Sequence, residues 1–155
     1  MNNEKFMHEA VKLSLKNIDE GGGPFGAVIV KDGEIIAKGA NRVTANNDPT
    51  AHAEINAIRE ASQKLGTFDL SGCQIYSSCE PCPMCLGAIY WARLDKIYFA
   101  NTKIDARDID FDDSFIYEEL EKPIEKRKIP TTQLLREEAI VAFEKWREKE
   151  DKMKY

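Results

Sequence analysis

Apolar residues along this chain change period several times, and each change marks an element. From residue 4 to 18, Met7, Val11, Leu15 and Ile18 recur at helical spacing, with Phe6, Ala10 and Leu13 widening the stripe. That pattern predicts an amphipathic packing helix. It stops at Gly21-Gly22-Gly23-Pro24. No G-x-x-x-x-G-K-[ST] pattern follows the glycines, so they read as a flexible entry to a strand and not as a phosphate loop. Phe25 to Val30 is a short apolar run of β type, Lys31-Asp32-Gly33-Glu34 supplies a hairpin turn, and Glu34 to Gly39 is the antiparallel partner. A polar loop from Val43 to Asp48 leads into Asp48-Pro49-Thr50, which announces a helix running to about Leu65. Cys73 to Ser78 predicts a third strand, Cys82 to Ala92 a helix, and Lys96 to Ala100 a fourth strand. Strands alternating with helices imply parallel pairing after the hairpin, and so an α/β layered domain with a mixed sheet.

Beyond residue 101 the periodicity fades. Thr102 to Asp113 is polar and acidic, with Asp105, Asp108, Asp110, Asp112 and Asp113. The glycine of a calcium loop is missing, and the stretch reads as a lid or linker. Pro123 and Pro130 bracket another connector, and a last helix follows with Leu135, Ala139, Phe143 and Trp146 on one face. Arg147 to Lys154 reads as a frayed charged tail ending in Tyr155.

The candidate chemistry sits at the starts of two predicted helices. Cys82 and Cys85, three apart at a helix opening, lie one turn apart on the same face, where both sulfurs reach one ion. The helix N-terminus favours their thiolate forms. His52 adds an imidazole, and three such ligands suit Zn²⁺ with a fourth tetrahedral position left for water. Glu54, two residues from His52, stands close enough to exchange a proton with that water. Residues two apart in a regular helix point nearly opposite ways, so the ion must lie beyond the helix's first turn. A thioredoxin-like redox pair needs no upstream His-Ala-Glu. A structural four-ligand site would need Cys79, which Glu80 and Pro81 separate from Cys82 and carry out of the pocket. A catalytic site is the stronger reading.

Composition narrows the partners. The 155 residues suffice for one domain with a core that needs no disulfides, and all four cysteines (Cys73, Cys79, Cys82, Cys85) cluster around the candidate site. That clustering argues for metal chemistry in a reducing compartment. Residues 1–5 carry no apolar leader core, and no later run approaches membrane-spanning length, so a cytoplasmic protein is expected. Lys and Arg number 22 against 27 Asp and Glu, a net charge of −5. A nucleic-acid partner is not expected, because phosphate contacts call for a basic stripe. The lysine-rich stretch from Glu121 to Lys128 is interleaved with acids and reads as a solvated face.

His-x-Glu followed by Pro-Cys-x-x-Cys is the signature of zinc-dependent nucleobase deaminases. Asp48 to Glu54 together with Ser78 to Ala88 resembles the cytidine and deoxycytidylate deaminase superfamily, and within it the small bacterial guanine deaminases. Gly23 to Val30, Ala88 to Arg93 and Phe111 to Tyr117 point the same way, and the likeness runs from the first helix to Tyr155. The resemblance implies a three-layer cytidine-deaminase-like fold with helices on both faces of the sheet. It implies zinc on His52, Cys82 and Cys85, with Glu54 shuttling protons. Asn41 and Asp113 would hydrogen-bond a nucleobase, while Phe25, Trp91 and Tyr155 would shape or cover its pocket. It also implies a single domain over residues 1–155 in which 112–155 caps the site, swapped between the subunits of a homodimer. Transfer-RNA adenosine deaminases share the two zinc motifs and form the first alternative. Cytosine or cytidine deamination is the second, and a zinc-stabilised binding module without activity is the third. The presence of Glu54 beside an open coordination position speaks against the last.

Overall fold

The computed structural model describes residues 3–155. Helix α1 (Glu4–Asp19) opens the chain, followed by strands β1 (Gly26–Lys31) and β2 (Glu34–Ala40). A single helical turn α2 (Val43–Asn46) precedes α3 (Ala53–Leu65), β3 (Cys73–Cys79), α4 (Pro83–Trp91), β4 (Lys96–Asn101) and the short α5 (Lys103–Arg107). The four strands form one sheet in the order β2-β1-β3-β4. β1 pairs antiparallel with β2 and with β3, and β3 pairs parallel with β4, which bears out the mixed sheet. Asp32 and Gly33 both have positive φ, 50° and 79°. That is the tight turn whose twist matches a two-residue hairpin, and it explains why Asp-Gly stands there.

The sheet separates two apolar layers. On one face α1 sets Phe6 against Val28, Val30 and Tyr76. On the other, Ala53, Ala57 and Ala61 of α3 and Ile89 of α4 pack with Ala27, Ile29, Ala37 and Ile75. An alanine every fourth residue gives α3 a flat face that lies close on the strands. Gly39 of β2 matches it: a β-carbon there would stand 2.6 Å from Ala57 N and inside the van der Waals shell of the Ala53 carbonyl. Gly26 does the same for α1, with Ser14 N only 2.8 Å from where its β-carbon would be.

Three expectations are corrected. The buried side of α1 is Phe6, Ala10, Ser14 and Asn17, while Leu15 and Ile18 are exposed. The close approach at Gly26 selects the small face of this helix over its greasiest one. The polar loop at 43–48 contains α2, and the stretch from Thr102 contains α5, whose start is a capping box of Thr102 and Asp105. Asn17 Nδ2 donates to the carbonyls of Gly23 and Asn41 at 2.8 and 2.9 Å, fastening the glycine loop to the end of β2.

The chain divides into two compact units, residues up to Asp113 and Ser114–Tyr155. The second unit holds α6 (Ser114–Glu121), a 3₁₀ turn (Ile124–Lys126) and α7 (Arg136–Glu148). α6 was not anticipated from the sequence. Within the unit, Glu119 accepts from Lys128 N at 2.7 Å through its carboxylate and from Arg127 Nε at 3.2 Å through its carbonyl. Neither helix contains a buried residue, and Phe115, Val141 and Phe143 are exposed. Among the described residues no helix is long and apolar enough to cross a membrane.

Candidate metal centre and active site

His52 and Cys82 occupy the N-cap positions of α3 and α4, both in extended backbone conformation. The carbonyl of each opens its helix, accepting from Asn56 N at 3.0 Å and from Leu86 N at 2.8 Å. Their side chains therefore project beyond the helix ends into one common space. Pro83, at the first helical position of α4, costs no hydrogen bond there. Cys85, one turn into α4, shares the face of Cys82. The donor atoms of His52, Cys82 and Cys85 lie within 4.8 Å of one another and form a group able to hold a metal ion.

The electrostatics favour a thiolate at the rim. Cys82 is pulled down to about 4, first by the hydrogen bond that the Cys85 thiol gives it and then by His52. Cys85 is pushed up by the same hydrogen bond, with burial adding to it. His52 is raised, chiefly by its hydrogen bond to Cys82. Cys79 is pushed up to about 11 by burial, and its thiol meets the carbonyl of Thr102 at 3.8 Å, outside the three-donor group.

Glu54 lies in the first turn of α3 and is 5% exposed. Its Oε1 accepts from Ser77 Oγ at 2.6 Å. Asn41, at the end of β2, is buried, and its Oδ1 accepts from Val43 N at 3.2 Å, which leaves the amide nitrogen as its donor. Phe25 adjoins it through the Asn41 N to Phe25 O hydrogen bond of 3.2 Å and meets the Phe111 ring edge-on at 5.0 Å. Asp113 is half-buried, and desolvation raises its carboxyl, with the Cys82 charge contributing. Metal donors, Glu54 and Asp113 are thus in one electrostatic neighbourhood. Trp91 on α4 is 65% exposed, which removes the alternative that it is a core residue of the single chain. Tyr155 is 75% exposed.

The model of the cytidine and deoxycytidylate deaminase zinc-binding region matches residues 1–101. The chain belongs to the cytidine and deoxycytidylate deaminase family. This deaminase is 54% identical to the guanine deaminase of Bacillus subtilis (strain 168), over 100% of both chains. Its structure matches the X-ray structure of guanine deaminase from Bacillus subtilis with a TM-score of 0.97, covering 100% of this chain and 99% of the other. A guanine deaminase structure from Nitrosomonas europaea is 37% identical with a TM-score of 0.69, over 72% of this chain and 65% of that one. The tRNA-specific adenosine deaminase of Aquifex aeolicus is 44% identical over 64% of this chain and 66% of its own length.

The deaminase's donor set suits zinc on its own geometry. Sulfur at about 2.3 Å and nitrogen at about 2.0 Å from a tetrahedral ion are about 3.5 Å apart. Cys82 and Cys85 Sγ stand 3.6 and 3.4 Å from His52 Nδ1. Two residues of this neighbourhood escaped the sequence reading. Ser77 was legible in principle, because strand alternation puts it on the side of Ile75 and Cys79, where a polar group needs a partner. Asn17 was hidden by the misplaced face of α1.

Proposed function

We propose that this chain is a zinc-dependent guanine deaminase, converting guanine and water to xanthine and ammonia in purine turnover. The observation that carries the reading is a buried carboxylate, Glu54, beside a three-donor group of His52, Cys82 and Cys85. Three donors leave a tetrahedral position open, the mark of a catalytic site. The substrate is taken from the whole-length likeness to a guanine deaminase, which includes residues that the 64% match to a tRNA-specific enzyme leaves out.

Zinc, when bound, supplies a Lewis acid that makes water nucleophilic near neutral pH. Glu54 takes a proton from the water that adds to C2 of the purine and hands it to the adjacent ring nitrogen. It then carries the second proton to the 2-amino group, which departs as ammonia while C2 becomes a carbonyl. Asn41 offers its amide nitrogen to an acceptor of the base. Asp113 accepts from the adjacent donors of guanine, N1–H and the 2-amino group, an edge that cytosine lacks. Phe25, Trp91 and Tyr155 cover the ring. None of the four cysteines is in a disulfide, as suits a reducing cytoplasmic setting.

Ammonia release across guanine, adenine, cytosine, cytidine and a transfer-RNA stem-loop tests the assignment. Guanine turnover is expected, with a loss of at least about 10²–10⁴-fold in Glu54→Gln. Release from the stem-loop with none from guanine overturns it. The same reading makes the protein a homodimer in which the segment after Asp113 caps the partner's site. A short unit with exposed Phe115, Val141 and Phe143 and no buried residue in its helices cannot cover its own apolar surface. A second copy exchanging the same element covers it at little cost. Sedimentation at twice the chain mass is expected; a monomer at assay concentration refutes the exchange.

A further inference from the structure

We infer that Ser77 is a positioning residue for the reaction, fixing the Glu54 carboxylate so that one oxygen is held and the other is presented to the reacting water. The inference rests on the reading of Glu54 as the proton shuttle. Ser77 Oγ donates to Glu54 Oε1 at 2.6 Å, a short hydrogen bond between two side chains that are 0% and 5% exposed. Ser77 is held from both sides, since its strand pairs it with Ala27 of β1 and Phe99 of β4. A hydroxyl on a doubly paired central strand has little freedom to follow a wandering carboxylate, so the carboxylate settles to it.

The neighbouring donors do not offer the same hold. The Cys85 thiol, which gives its proton to Cys82, lies close enough to Glu54 for the carboxylate charge to push it up. A thiol that becomes a metal ligand gives up its proton, however, and can then no longer donate. Cys79, on the same face of β3, directs its thiol to Thr102. Ser78, the next residue, faces the opposite side, where its Oγ accepts from Gly26 N at 3.0 Å. The Ser77 hydroxyl therefore persists through the working state. Without it, a buried carboxylate keeps one oxygen unsatisfied and rotates in search of a partner, leaving the proton-transfer geometry that a general base needs.

The test compares Ser77→Ala in two backgrounds, with zinc content confirming an intact site. In the wild-type background kcat for guanine falls about 10- to 100-fold, the worth of one hydrogen bond to a charged group, while KM stays within about threefold. In the Glu54→Gln background the same substitution changes kcat by less than about threefold, because the group it positions is already disabled. A crystal structure of Ser77→Ala is expected to show the Glu54 carboxylate out of the place it holds here. Equal losses in both backgrounds, unchanged kcat, or a carboxylate that stays in place overturns the inference. Should Ser77→Ala not fold, Ser77→Cys keeps the volume with a weak donor, and the same comparison decides. Full guanine turnover in Glu54→Gln alone would instead sink the role of Glu54, so the two failures are distinguishable.

Discussion

Gly39→Ala links packing to chemistry, because α3 carries both His52 and Glu54 at its N-terminal end. A β-carbon at residue 39 would stand 2.6 Å from Ala57 N and closer still to the Ala53 carbonyl, where ordinary contact begins near 3.4 Å. Strand and helix must separate by about 1 Å, and overpacking of that size costs about 1–3 kcal/mol. For a chain of this length that lowers the melting temperature by roughly 3–10 °C. The hydrogen bonds bracketing Gly39, Lys38 N to Glu60 Oε2 at 2.7 Å and Asn56 Nδ2 to Ala40 O at 2.8 Å, lengthen first. β2 is an edge strand but is laddered to β1 from Glu34 to Ala40, so the helix gives way. A shift of about 1 Å in catalytic groups costs about 100-fold in rate. Calorimetry with guanine kinetics on the same preparation measures both effects. Lower stability with full kcat would mean that β2 bends and α3 stays, and would refute the coupling.

Two further predictions concern the metal donors. Cys85→Ala is expected to lose zinc and Cys79→Ala to keep about one per chain, by metal analysis; the reverse result would move the site. In protein stripped by a chelator, Cys82 stays a thiolate above about pH 4, whereas a raised Cys85 and Cys79 remain thiols. At pH 5 its ionisation advantage over a free thiol outweighs the nucleophilicity lost with a lower pKa by about 30-fold. Iodoacetamide at that pH should mark Cys82 first, read by peptide mass, and uniform labelling of the three would contradict the arrangement.

The sheet and the metal group were legible because each rests on a short-range signal. Asp32-Gly33 can hardly be anything but a hairpin turn, and the spacing of Cys82 and Cys85 fixes their shared face without knowledge of the fold. The face of α1 was not legible, because apolar content favoured Leu15 and Ile18 while the backbone approach at Gly26 rewarded Ala10 and Ser14. That approach is a tertiary constraint, invisible in helical periodicity. α5 could have been found from Thr102 and Asp105, three apart and reciprocally bonded at a helix start. The acidic run around them hides that cap among other carboxylates. Ser77 is a different case: strand alternation places its hydroxyl on the buried side, but which group it meets is settled only when Glu54 of another element arrives opposite it.

Relatives named for guanine and for adenosine in transfer RNA are 54% and 44% identical to this chain, so substrate choice must reside in what differs between them. In the proposed reaction the zinc chemistry falls to His52, Cys82, Cys85 and Glu54, and nothing in those four groups tells one purine edge from another. Discrimination needs a donor or acceptor that the wrong base leaves unpaired in a buried place. Asn41 and Asp113 are the polar side chains proposed for that task. Asn41 Oδ1 accepts from Val43 N, which orients the amide with its nitrogen as the donor, and Asn17 holds the Asn41 backbone carbonyl. Asp113 is half-buried and desolvated enough to raise its carboxyl, and an acceptor of this kind penalises a base that brings no donor. An anticodon loop would also have to approach a chain of net charge −5 with its phosphates. The electrostatic cost of that approach and the orientation that Val43 N favours for the Asn41 amide act in the same direction, toward a small neutral base.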